Sequence, residues 1–554
     1  MVTLKSRSLF KRYGSHINPW TLLALFIAAV FLGPVASIFY TASGDSEGLW
    51  PHLFETVLPR YVLNSLVLMA GVGLVSLIFG VSSAWVIVRY KFRGRTVFEW
   101  LLLLPAAVPA YLIAYTYTDF LEYAGPIQGV LRSLFGWETS SDYWFPEIRS
   151  MPGAMIVMGS VLYPYVYVLA RAAFLMTPVS LYEAGMLAHR RSLFWRVALP
   201  LARPAIVAGL ALVLMETVSD FGTVEYFAIE TLTLGIFNVW LGMNSLTAAA
   251  QIASFAFLFI IALLAIELIA RSRRRFADSR GSSKTLSLLE IGGGRQVICW
   301  LICFVPTLVG FLIPVGVLMS FIVKGESIAF DSDVTAAILN SIFLAGIVAL
   351  LVMLSALFLS SVVAYQQNSF VKRITVFASL GYAFPGTILA IGVVTAGGAI
   401  DSQIADFLFT ILGISYEGWL TSGIGLIIAA CVIRFQAVGY GAITSGLERM
   451  PANMTSASRV LGHGFCYTVW KVIFPLIRMS FLAGGLLVFV DVMKELPMTL
   501  LLRPFNYETL PTHVYQYAKD ELLEEAAFPA LFIILVSVIP ILIMNLALNR
   551  ITRR

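Results

Sequence analysis

Charge is scarce in this chain. Asp, Glu, Lys and Arg make up 12% of its 554 residues, about half the share of an ordinary soluble domain, so a fully solvated globular surface is excluded. Cysteine is scarcer still, at four residues, too few for a disulfide framework. Cys299 and Cys303, four residues apart in an apolar run, read as packing rather than metal or redox chemistry. There is no G-x-x-x-x-G-K-[ST] phosphate loop, since 281-GSSKT-285 lacks its first half. No paired carboxylates and no Ser/His/Asp set stand at a catalytic spacing. The chain is therefore expected to hydrolyse nothing itself and to bind no cofactor.

What the chain has is apolar length. Hydrophobic residues reach 59% and the mean hydropathy is +0.87. Apolar runs recur that are long enough to cross a hydrocarbon core of ~30 Å as helices. Runs such as Thr21–Val35 and Phe528–Leu548 do not alternate apolar and polar residues as barrel strands do. The basic stretch Lys5–Arg12 leads into a full-length span without a small-residue cleavage pattern, so no cleaved leader is expected. An all-α polytopic membrane protein of about twelve transmembrane helices follows, with spans near 19–41, 61–88, 97–119, 152–176, 201–222, 250–270, 297–322, 336–365, 374–399, 419–442, 476–499 and 526–549.

The net charge of +6 is distributed as topology demands and not as nucleic acid would. With the N-terminus inside, segments 1–18, 89–96, 171–203, 271–296, 366–373, 434–478 and 550–554 hold 30 of the 37 Lys and Arg residues. That bias predicts both termini on the cytoplasmic side of an inner membrane. The external segment 136-GWETSSDYWFPEI-148 is acidic and aromatic, as a docking surface would be.

Two halves resemble each other in register. Asn64-Ser65 and Asn340-Ser341, Pro109 and Pro385, Pro200 and Pro475, and Glu216/Asp220 and Asp491/Glu495 all recur at an offset of 275 or 276 residues, and 230-ETLTLGIFNVW-240 returns as 508-ETLPTHVYQYA-518. The expected organisation is a cytoplasmic segment 1–18, a six-helix half 19–271, a polar linker 272–296, a second half 297–549 and a tail 550–554. Parallel repeats of this kind place a pathway between the halves.

Each half carries a long cytoplasmic loop before its fifth span, near 177–200 and 450–475. They read 182-YEAGMLAHRRSLFWRVALPLARPAI-206 and 455-TSASRVLGHGFCYTVWKVIFPLIRMSF-481. Pro200 and Pro475 suit the first turn of the following helix, and Trp195 and Trp470 suit a headgroup interface. Acids within spans five and eleven are costly in lipid and usually face protein or water. Glu216 lies 16 residues beyond Pro200, ~24 Å along a helix, in the outer half of its span. At i,i+4 spacing, Glu216 and Asp220 share one helix face, as do Asp491 and Glu495. Together they would form an acidic external mouth suited to a hard cation, or else pair with Lys494 or Arg503 for architecture alone.

These residues carry a resemblance. The two loops resemble the Glu-Ala-Ala signature of binding-protein-dependent ABC importer permeases. Glu183, Ala184 and Gly185 fit it in the first copy, where His189 takes the later Gly position. Ser456, Ala457, Ser458 and Gly462 fit it in the second. The stretches METVSDFGTVEYFAIETLTLGIFNVW and DVMKELPMTLLLRPFNYETLPTHVYQYAKDELLEEAA are similar to ferric iron permeases, in the fused two-half form. The resemblance implies a type I importer fold and coupling loops that dock two copies of a cytoplasmic ATPase, which carries the ATP and Mg. It also implies an extracytoplasmic binding protein that delivers substrate. Glu216, Asp220, Asp491 and Glu495 would line the cation route as transient metal ligands. Thiamine and polyamines, cations handled by close relatives, are the alternatives, and a gradient-driven 6+6 transporter is the contrasting class.

Overall fold

The computed structural model describes residues 18–188, 193–272, 288–324 and 332–552, apart from 367, 380, 382, 383, 414, 417 and 452. The N-terminal segment, His189, most of the linker and the last two residues lie outside the described residues. Among the described residues ten helices are long and apolar enough to cross a membrane, eleven if the pair Arg95–Ala107 and Ala110–Phe135, bent by 95°, counts as one span. Leu246–Ser272 is a further helix of 27 residues.

Two expected spans are broken, for the same reason. Proline has no N–H and pushes the residue before it into extended geometry. In the first half the helix Arg95–Leu101 gives way to a tight turn at Leu104–Ala107, Val108 is extended, and Pro109 caps Ala110–Leu121. In the second, Ser369–Ala378 ends and Pro385 caps Gly386–Leu412. The expected spans 97–119 and 374–399 are thus each a short helix, a break and a helix that starts afresh. A parallel pair of two-residue strands, Tyr90–Lys91 with Leu289–Glu290, interrupts the all-helical pattern and ties the end of the linker to the first half.

The halves share one plan. Leu58–Arg89 lies along Met151–Met176, with Leu199–Ser219 against both. Ser332–Gln366 packs likewise on Gly425–Glu448 and Phe474–Met493. The first helix of each half departs from the expected division, because it bridges its own half and the other. Pro19–Ala42 touches Leu246–Ser272 but also lies along Gly386–Leu412, where Ser37 Oγ donates to the Gly392 carbonyl at 2.7 Å. Gly294–Lys324 crosses to Leu58–Arg89 and Met151–Met176. There Ser83 donates to Ile302 O (3.2 Å) and Tyr117 to Val309 O (2.9 Å). The boundaries 19–271 and 297–549 separate the repeats along the chain, while in space their first helices are exchanged.

The Asn-Ser repeat has a matching structural role in both halves. Asn64 Nδ2 donates to the Glu230 carbonyl and Ser65 Oγ accepts from Leu232 N, both at 3.0 Å. Asn340 Nδ2 donates to Glu508 O at 3.0 Å and Ser341 Oγ accepts from Leu510 N at 2.7 Å. Each pair satisfies backbone groups of the Glu-Thr-Leu turn, which would otherwise be buried without partners.

Candidate functional site

The fifth span of each half ends where its acids begin. Leu199–Ser219 stops at Ser219, and Asp220 turns to extended geometry (ψ 135°). Its carboxylate then accepts from the backbone N–H groups of Thr223 (3.0 Å) and Val224 (3.2 Å), capping the short helix Gly222–Tyr226. Phe474–Met493 ends likewise, and Glu495 accepts from Met498 N and Thr499 N at 3.1 Å, capping Pro497–Leu502. The expectation that each acid pair shares one helix face is therefore corrected. The helix breaks between the two acids, and the second serves the exposed donors of the next helix.

The four acids nevertheless meet. Glu216, Asp220, Asp491 and Glu495 line one cavity of about 140 Å³, together with Pro109, Tyr111, Met158, Phe221 and Pro497 among others. Both halves contribute to it. Two bases share the space. Arg434 pairs with Glu495 at 3.2 Å, the two side chains 9% and 3% exposed, and Lys494 pairs with Asp491 at 3.3 Å. The cavity thus holds four carboxylates and two cations. Among the described residues no three Asp, Glu, His or Cys groups stand close enough to hold one metal ion. Arg434 opens the segment 434–478 expected on the cytoplasmic side, but it is the tenth residue of the helix Gly425–Glu448 and faces the cavity. The signal in the sequence is its isolation in an apolar run, since a lone charge within a span usually faces protein or water.

A second cavity, of about 1060 Å³, is lined by Tyr117, Glu122, Tyr143, Trp144, Glu147, Arg149 and Met151–proximal residues such as Pro152. It sits at the start of Met151–Met176, whose other end leads to the helix Val179–Ala188. Its loop is built by Asp142, whose carboxylate accepts from Glu138 N (2.9 Å) and Thr139 N (2.7 Å). Those two N–H groups hold the Asp142 carboxyl below the usual aspartate range.

The two signature loops form short helices. On Val179–Ala188, Glu183 and Ala184 are exposed and Gly185 is buried. A Cβ at Gly185 would stand 2.7 Å from Val197 Cγ2, so only glycine lets this helix lie so close to the chain that follows. Arg89 Nη2 reaches Met186 Sδ at 3.3 Å and Tyr182 donates to Phe174 O at 3.1 Å. On Asn453–Val460, Ala457 is exposed, Ser456 half-buried and Ser458 buried, with Ser458 Oγ 2.8 Å from Thr468 Oγ1. Gly462 ends the turn at φ +80°, a conformation that favours glycine. Tyr365, at the repeat position of Arg89, accepts from Arg459 of this helix through its carbonyl (2.9 Å). A single π turn holding Trp195 or Trp470 follows in each half, and Pro200 and Pro475 stand in the first turn of the next helix. The proline lacks the N–H that a continuous α-helix would offer the preceding turn.

Residues 76–275 and 356–554 each match the family described as binding-protein-dependent transport system inner membrane component. Both matched stretches begin after the exchanged first helices. Over 499 residues the chain is 22% identical to the Fe(3+)-transport system permease protein FbpB 2 of Haemophilus influenzae, covering 89% of this chain and 91% of that one. It is 21% identical to the ferric transport system permease protein FbpB of Actinobacillus pleuropneumoniae, covering 90% and 73%. A putative 2-aminoethylphosphonate transport system permease protein of Salmonella choleraesuis is 27% identical over 269 residues, 46% of this chain and 92% of that one.

Proposed function

The chain belongs to the family of binding-protein-dependent transport system inner membrane components, and from that premise we propose that it is the membrane subunit of an ATP-driven importer of ferric iron. It is a transport subunit and not an enzyme. Two copies of a cytoplasmic ATPase bind the helices around Glu183–Gly185 and Ser456–Gly462, and an extracytoplasmic binding protein delivers the ion at the opposite end. Both termini are cytoplasmic, which puts the 1060 Å³ cavity outside and the two coupling helices inside. The observation that carries the substrate route is the meeting of Glu216, Asp220, Asp491 and Glu495 in one cavity between the halves. Relatives aligned along about nine-tenths of this chain are named for ferric iron, and hard trivalent cations prefer carboxylate oxygen. Arg434 and Lys494 offset part of the negative charge, so an ion is attracted without a complete cage and can leave. ATP-driven closure moves both coupling helices together and rocks the halves about the cavity.

The mixed charge of the cavity favours one second reading. Four acids beside two bases also suit a zwitterion, and one relative is named for 2-aminoethylphosphonate. Liposomes holding the chain with its ATPase and binding protein separate the two. ATP-dependent uptake of ferric iron, with none of thiamine, spermidine or 2-aminoethylphosphonate, supports the iron route. Uptake of one of the organic solutes in its place rejects it, and uptake by the chain alone without ATP rejects the importer itself.

A further inference from the structure

Three buried phenol hydroxyls have no hydrogen-bond partner among the described residues: those of Tyr111, Tyr115 and Tyr167. A hydroxyl buried without a partner is costly, and such a group calls for an explanation. Two of the three have a distinctive place. Tyr111 and Tyr115 are one turn apart on Ala110–Leu121, 5% and 1% exposed. Tyr111 lines the acidic cavity. The same helix ends at Leu121, which lines the second cavity with Glu122. Side-chain contacts connect the two spaces without a gap. Tyr111 and Tyr115 have ring centroids 5.8 Å apart, Tyr115 and Tyr226 4.5 Å apart. The Arg149 guanidinium, held by Glu122 at 2.7 Å, lies 4.9 Å over the Tyr226 ring. Beside this column Tyr515 donates to Glu225, and Lys519 pairs with Glu225 at 3.4 Å, so the second half closes its flank. The repeat positions of Tyr111 and Tyr115 are Thr387 and Ile391, so the phenols belong to one half alone.

We propose that Tyr111 and Tyr115 form the inlet of the transport route, their hydroxyls passing the cation from the cavity at Glu122 and Arg149 to the acids at Glu216 and Asp220. This rests on the cation-importer reading and adds two route residues to it. Phenol oxygen is a hard donor, as carboxylate is. A hydroxyl with no protein partner can turn to a passing ion without breaking a bond. Unlike an acid it holds no permanent charge, so it does not trap the ion between the two cavities. Opening requires only that the rings swing apart, and the Glu225–Tyr515 contact is where the halves would separate.

The test removes one oxygen at a time in the reconstituted complex of permease, ATPase and binding protein. Tyr111→Phe and Tyr115→Phe are each expected to lower ferric iron uptake by about tenfold, the worth of one hydrogen bond to a charged group. Binding-protein-stimulated ATP hydrolysis should stay within about twofold of wild type, because folding and coupling are untouched. Tyr167→Phe, an equally buried unpartnered phenol off the column, should leave uptake unchanged. Full uptake by Tyr111→Phe and Tyr115→Phe overturns the inlet. So does an equal loss in Tyr167→Phe, which assigns all these hydroxyls to packing. If wild type carries a different cation, the iron reading fails separately, and the same three ratios measured with that cation decide the role of the tyrosines.

Discussion

Arg434 is the residue on which the central cavity turns. It is a buried cation ten residues into an apolar helix, and its partner Glu495 also caps the next helix. Removing one member of a buried ion pair strands the other and costs about 3–5 kcal/mol. Arg434→Ala should therefore lower the melting temperature of the purified chain substantially, and adding Glu495→Gln should recover part of the loss. An equal melting temperature for Arg434→Ala and wild type would mean that the pair holds nothing. Asp142 tests the loop of the second cavity. Its carboxyl is held below the ordinary aspartate range, so the stabilisation it gives is present above that range and is lost as pH falls through its lowered value. Amide exchange at Glu138 and Thr139 should stay slow from neutral pH down into the mildly acidic range. Asp142→Asn should exchange them faster even at neutral pH.

At the scale of elements, the two helices proposed to couple to the ATPase depend on two glycines for different reasons. Gly185 is a matter of space, with Val197 2.7 Å from any added Cβ. Gly462 is a matter of backbone, at φ +80°. Gly185→Val should push the helix off its seat and abolish stimulation of the ATPase by the binding protein. Gly462→Ala strains one residue by about 1 kcal/mol and should weaken that stimulation only a few-fold. Stimulated hydrolysis in the assembled complex measures both, and equal behaviour of the two variants would contradict the distinction. Much of this level was legible in the sequence, because Pro200, Pro475, Trp195 and Trp470 mark the loops by chemistry that works locally. The helix breaks were less so. Asp220 and Glu495 sit at i,i+4 from Glu216 and Asp491, a spacing that fits a continuous helix as well as a cap. The choice is made by backbone donors at Thr223, Val224, Met498 and Thr499, which no periodicity records.

At the scale of the whole molecule, the repeat was readable from matched residues, and its Asn-Ser pairs hold equivalent turns in both halves. The exchange of first helices was not readable. Pro19–Ala42 and Gly294–Lys324 are apolar around much of their circumference, and an apolar helix face does not say which half it will lie on. Their crossing ties each half to the other at its edge. The tyrosine column was invisible for a related reason, since aromatic residues in a span read as packing until two cavities are seen at its ends.

The most direct measurement is uptake of radioactive ferric iron by liposomes holding the permease, its ATPase and its binding protein, with wild type compared against the double substitution Glu216→Gln/Asp491→Asn. ATP-dependent uptake by wild type that falls to background in the double variant, with the complex intact and still hydrolysing ATP, is the expected result. Undiminished iron uptake by the double variant would show that the ion does not pass the acids where the two halves meet.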